Sequence, residues 1–250
     1  MTIHACRSIF NSMKPPQTIY LNDYTPPPFF IDQTDLTIDI REDVTQVTAC
    51  LKIRKNKAVS DKHTPLVLDK GDFEIVSVVA DTMVLLSEEY TVTKNALCLA
   101  QTPDLFELEI TTLLKPHENT RLEGLYASGD ILCSQCEAQG FRKITPFLDR
   151  PDVMSVYSCT IVADKTRYPV LLSNGNPVQK GDLPDNRHFI RWEDPFKKPG
   201  YLFAVVAGDL DHICDTFTTS SERVVDLKIY AHKESIDQCR HAMTALKQRS

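Results

Sequence analysis

Several short stretches of this 250-residue chain carry reactive residue types at close spacing. Cys133-Ser134-Gln135-Cys136 has the C-x-x-C spacing of a redox dithiol or of half a zinc site. A structural zinc needs four tetrahedral donors, usually a second such pair or two neighbouring histidines. The chain has no second pair, and none of its seven histidines stand at H-x-x-x-H spacing. A thioredoxin-like dithiol belongs at a strand-to-helix junction, whereas the flanks here read as strand and loop. Cys133 and Cys136 are therefore read as structural, with redox or metal roles as the alternatives. His117-Glu118-Asn119-Thr120-Arg121 begins like the zinc-peptidase motif H-E-x-x-H. Its second ligand position holds Arg121, a permanent cation that repels a metal, and Pro116 and Gly124 oppose a long helix. No zinc chemistry is expected there.

Glu137 lies in Gln135-Cys136-Glu137-Ala138-Gln139-Gly140, after a Gly129-Asp130 turn. A carboxylate beside an amide in a loop can hold an ammonium, the first by charge and the second through its carbonyl oxygen. By composition alone, a solvated surface glutamate is the favoured reading of Glu137, and the ammonium site is the alternative. Asp149-Arg150-Pro151-Asp152 reads as an ion-pair turn in which the arginine fork bridges carboxylates. Trp192, Tyr201 and Phe203 read as core residues at alternating strand positions. No G-x-S-x-G element and no glycine-rich phosphate loop occurs.

The elements that position these residues are mostly strands. Leu36, Ile38 and Ile40 alternate with Thr37, Asp39 and Arg41, and Val47, Ala49, Leu51 and Ile53 repeat the period-2 pattern. Further strands are expected at 74–80, 96–100, 106–112, 154–163, 168–172, 187–192, 201–207 and 224–230. Asn174-Gly175 marks a turn. Pro15-Pro16 and Pro26-Pro27-Pro28 bracket an extended lead-in. Helical spacing appears late, in Ile236, Cys239, Met243 and Leu246, an apolar stripe with no visible partner.

The formal charge of -6 disfavours a nucleic-acid partner. The longest apolar stretch, Tyr201 to Ala207, is far shorter than the ~20 residues a membrane helix needs. Eight scattered cysteines fit reduced thiols, and hence a cytoplasmic location. The first 22 residues carry His4, Arg7 and Lys14 and no acid, without the apolar core of a secretory signal.

The run LEGLYASGDILCSQCEAQGFRKITPFLDRPDV, followed in order by LLSNGNP, WEDPFKKPGYLFAVVAGDLD and DTFTT, closely resembles the bacterial alanyl-type aminopeptidase N family of gluzincin zinc aminopeptidases. The resemblance is dense over about 120–230 and fainter from about 20 to 119. It implies a mainly β fold: an extension over 1–19, a β saddle of antiparallel and mixed sheets over 20–209, and over 210–250 a truncated strand-and-helix start of a thermolysin-like catalytic domain. By matching position, Glu137 would bind the α-ammonium of a peptide substrate, and Gln135 would sit beside it. The family's G-A-M-E-N segment and H-E-x-x-H helix are expected beyond Ser250. The resemblance thus implies zinc in the longer parent and no metal or catalytic residue in this chain, which alone is expected to be inactive. The partners implied are peptide substrates and the missing catalytic domain, with no nucleic acid or membrane. The alternative is a non-catalytic β interaction or peptide-binding module.

Overall fold

The computed structural model describes Thr18 and residues 20–249. The expected extension, with Pro15-Pro16, His4, Arg7 and Lys14, therefore lies outside the described residues apart from Thr18. The strands, in chain order, are β1 (Phe29–Ile40), β2 (Thr45–Lys55), β3 (Leu66–Asp69), β4 (Glu74–Ala80), β5 (Met83–Val84), β6 (Thr91–Val92), β7 (Ala96–Leu99), β8 (Leu105–Leu114) and β9 (Gly124–Ser128). They continue with β10 (Ile131–Gln135), β11 (Met154–Asp164), β12 (Val170–Ser173), β13 (Asn176–Leu183), β14 (Arg187–Pro199), β15 (Val205–Gly208), β16 (Asp211–Thr218) and β17 (Val224–Ala231). One α-helix, α1 (Arg240–Arg249), closes the described chain.

An eight-stranded sheet, ordered β13-β14-β11-β1-β2-β8-β4-β5, forms the body. Its alternation follows from side-chain period. Leu36, Ile38, Val47, Ala49, Leu51 and Ile53 are fully buried, while their strand neighbours face outward. β1 pairs with β11 in parallel, from Gln33 opposite Val156 to Asp39 opposite Val162, and the other ladders of the sheet are antiparallel. A second sheet, β12-β15-β10-β9, and a smaller one, β3-β7-β6, stack beside it over a shared core. The expected mainly β fold with antiparallel and mixed sheets is what the chain adopts.

Differences arise where tertiary context outweighs local pattern. The apolar run 201–207 is a strand only from Val205, because Gly200–Leu202 turns as a 3-10 helix behind Pro199. Phe203 is buried, Trp192 packs half-buried against the core from β14, and Tyr201 sits half-buried in the turn, so the three do not alternate along one strand. β13 has a sequence that reads as turn. It pairs as an edge strand, and Pro177 is accommodated by the register shift between Pro177 and Gln179. The Asn174-Gly175 turn forms as expected, with Gly175 at φ 84° against the Glu193 carbonyl, where a Cβ would lie 2.1 Å from the oxygen.

The apolar stripe near the end does find a partner. Strands β16 and β17 form a separate two-stranded hairpin. A 3-10 turn, Ile236–Cys239, and α1 pack on it. Met243 is buried, Ile236 and Cys239 are half-buried, and Lys247 Nζ donates to Asp215 Oδ2 at 2.8 Å. Among the described residues, neither hairpin strand joins the other sheets.

Candidate functional site

The loop that carries Glu137 is set by the strand before it and the turn after it. β10 is held on both sides. Gln135 pairs with Gly124 of β9, and Leu132 and Cys133 pair with Ala207 and Val206 of β15. Ser134 Oγ also accepts a bond from the Val205 amide at 2.9 Å. Alternation then buries Leu132 and leaves Gln135 exposed at the strand end. Cys136 turns inward, Glu137 turns outward, and the Gly140 amide closes the loop on the Cys136 carbonyl at 2.7 Å. The Glu137–Ala138 peptide is cis. Only glycine fits at 140, since a Cβ would lie 2.3 Å from the Gln135 carbonyl oxygen and 2.8 Å from the Cys136 Cα.

After the loop, the 3-10 turn Phe141–Lys143 drives Phe141 fully into the core. Its ring meets Phe147, Phe203 and Tyr157 edge-on at centroid distances of 4.6, 5.2 and 5.8 Å. Arg142 then spreads over Asp149: its amide and Nε both donate to Oδ2 at 3.1 Å, and Nη2 donates to the Asp149 carbonyl at 3.0 Å. Burial pushes the Asp149 carboxyl up, and the Arg142 contacts pull it back only partly. Lys143 pairs with Glu123, while burial and then Arg121 lower its pKa.

The structure therefore leaves the predicted pair exposed at one place, Gln135 at the end of β10 and Glu137 in the loop just beyond it. Both side chains point to solvent without a hydrogen bond or ion pair to any described residue. The arrangement can offer a carboxylate and an amide to an incoming cation, with no internal partner to displace. Sequence reasoning missed the support beneath it, the β9–β10 hairpin, Gly140, Phe141 and the Arg142–Asp149 pair. An F-R-K run behind a glycine was the available signal.

The other candidates resolve differently. Arg150 does not bridge two carboxylates. Its only carboxylate partner among the described residues is Asp152, at 2.9 and 2.7 Å, because Asp149 is taken by Arg142, and its Nη2 also donates to the Thr25 carbonyl at 2.8 Å. Pro116–Glu118 is a single 3-10 turn, where His117 faces Arg167 at 3.4 Å and Glu118 pairs with Lys115. Among the described residues, one shallow concave surface lies on the β16–β17 hairpin around Cys214 and Asp226 and another lies around His117 and Arg167. Neither is lined by Glu137 or Gln135.

Cys133 and Cys136 are free thiols, and burial pushes the Cys136 thiol up to about 12, with Asp149 adding to the shift. A thiolate is the reactive form, so Cys136 is suited neither to redox exchange nor to metal binding. Brief alkylation of the native protein at pH 7.5 is expected to label exposed Cys214 and spare Cys136. Peptide mapping that finds Cys136 labelled as fast as Cys214 would contradict this environment.

Comparison with known proteins now places the fold. The Peptidase M1 N-terminal domain model matches residues 30–202. Aminopeptidase N of Escherichia coli (strain K12) is 47% identical over 235 residues, which cover 93% of this chain and 26% of that protein. Aminopeptidase N of Caulobacter vibrioides is 45% identical over 232 residues, again 93% of this chain and 26% of that protein. The chain thus spans about a quarter of the length of the curated relatives it matches. Among solved structures, Legionella pneumophila aminopeptidase A in complex with aspartic acid superposes with a TM-score of 0.87 at 35% identity, over 91% of this chain and 27% of that one. An M1 zinc metallopeptidase from Deinococcus radiodurans shares the fold alone, with a TM-score of 0.69 at 12% identity over 82% of this chain and 48% of that one. With 173 consecutive residues under the family model, and the resemblance read from the Glu137 region extending over nearly the whole chain, this protein belongs to the Peptidase M1 N-terminal domain family.

Proposed function

We propose that this chain is the amino-terminal β domain of a zinc-dependent aminopeptidase, in which Glu137 receives the free α-ammonium of a peptide and Gln135 accepts a hydrogen bond beside it. The observation that carries this reading is an exposed, unpaired carboxylate on a loop whose backbone is anchored on both sides. A carboxylate free of internal partners gives its full charge to a ligand, and a fixed backbone limits the ordering cost of binding. An ammonium satisfies it, whereas the uncharged amide nitrogen inside a peptide does not. That contrast selects chain ends over internal bonds. The Legionella relative's bound aspartic acid is a ligand with such an ammonium.

Zinc, where bound, supplies a Lewis acid and an activated water. The donors among the described residues do not fit it. No three His, Cys, Asp or Glu side chains converge among the described residues, and Cys136 is held as a neutral thiol. We therefore assign the metal and the hydrolytic step to the remaining length of the longer relatives, and this chain alone is expected to show no turnover. The separate β16–β17 hairpin with α1 supports a boundary near residue 209, with 20–209 as the β saddle and 210–250 as the opening of the catalytic domain. No helix among the described residues is long and apolar enough to cross a membrane.

The test uses the full-length protein carrying this domain, assayed with alanyl and arginyl chromogenic amides. Chelator-sensitive release is expected from substrates with a free amino group. N-acetylation of the same substrates is expected to abolish it. Equal turnover of acetylated and free substrates would overturn the exopeptidase reading.

A further inference from the structure

The Glu137 carboxylate makes no hydrogen bond or ion pair with the described residues, so its position is dictated by the backbone that carries it. That backbone has few anchors after β10. The Gly140–Cys136 hydrogen bond closes the loop, Phe141 fills the core, and Arg142 supplies the directional contacts. Arg142 ties three segments together. Its guanidinium reaches Asp149 through Nε and Nη2, and Nη1 lies 3.2 Å from Asp69 at the end of β3. Its carbonyl accepts from the Gly71 amide at 2.7 Å, two residues beyond β3. Asp149 is only 2% exposed, and beside it Gly200 leaves room, since a Cβ there would lie 3.3 Å from Oδ1.

We propose that Arg142, locked between Asp149 and Asp69, is a positioning residue that holds the 136–140 loop so that Glu137 presents its carboxylate to the substrate amine; this rests on the reading of Glu137 given above. Burying a carboxylate costs solvation, and the upward shift of Asp149 shows that Arg142 does not fully offset it. A buried pair of this kind is a weak source of stability. Its planar, multidentate geometry is instead a strong orientational restraint. A lysine at 142 keeps the charge, but its three N–H donors share one nitrogen, so it lacks the planar fork that spreads over Asp149 and Asp69.

The test is a double-mutant cycle in the full-length, zinc-loaded protein. Arg142→Lys and Asp149→Asn are each expected to raise KM for free-amine substrates about tenfold, with kcat within about threefold and zinc content unchanged, a size typical of outer-shell orienting contacts. On a Glu137→Gln background the same changes are expected to add less than about twofold, because the group being positioned is gone. Full additivity in the double variants would overturn the proposal. So would a loss confined to kcat and zinc content, which marks a merely structural role. An unchanged KM in Glu137→Gln sinks the amine-site reading itself. An unchanged KM in Arg142→Lys, beside a weakened Glu137→Gln, sinks only the positioning role.

Discussion

Changing Glu137 to glutamine in the full-length protein is expected to lower kcat/KM for free-amine substrates about a hundredfold. The substitution keeps the shape and removes the charge. A charge-assisted hydrogen bond is worth about 1.5–3 kcal/mol, which corresponds to a factor of about 10 to 150 in kcat/KM. The upper part of that range applies because Glu137 has no competing partner among the described residues, so the whole interaction is available to the ligand. The loss is expected mainly in KM, as for an interaction made in both the ground and transition states. Because Glu137 is exposed in this chain, the contact is also expected to weaken with rising salt. Steady-state kinetics on the two proteins decide the matter. A change of less than about threefold would leave Glu137 as a solvated surface carboxylate.

Phe141→Ala is expected to be the most destabilising single change near the site, at about 3–5 kcal/mol. The ring is fully buried and makes three edge contacts, to Phe147, Phe203 and Tyr157, so its removal leaves a cavity between rigid neighbours that cannot collapse to fill it. Such a loss is a large share of the total stability of an ordinary domain, about 5–15 kcal/mol. Urea unfolding of this chain should show the midpoint falling with little change in slope. A loss below about 1 kcal/mol would mean that the aromatic cluster does not hold the loop. The change also removes the anchor next to Gly140, so the Glu137 loop is expected to lose amide protection together with the core.

Much of the architecture was legible from residue types. The alternation in 36–40 and 47–53 gave β1 and β2 the right faces, because side-chain period decides which face a strand buries. The Asn174-Gly175 turn was legible because positive φ is a local requirement. Strands β9, β10 and β13 were not. Their residues pair because neighbouring strands present open ladders, a contribution that no window of sequence contains. The run at 201–207 failed for the converse reason: its hydrophobicity signalled burial, which holds for Phe203, Val205 and Ala207, but burial does not specify a strand.

For the candidate site, the sequence by itself determined the residue types: a carboxylate at Glu137 and an amide at Gln135, in a collinear run that identifies the family. It also determined that His117 and Arg121 cannot form a metal pair, since a guanidinium does not ligate. Only the tertiary structure decided that Glu137 and Gln135 are both exposed at the end of β10 while Cys136 between them is buried and inert. Only the structure showed that Asp149 belongs to Arg142 rather than to Arg150. The physical reason is the same in each case. Local chemistry is carried by single side chains, whereas exposure, ion-pair choice and loop position depend on segments far apart in the chain, and β10, β15, Asp69 and Asp149 meet around this loop only once the core has closed.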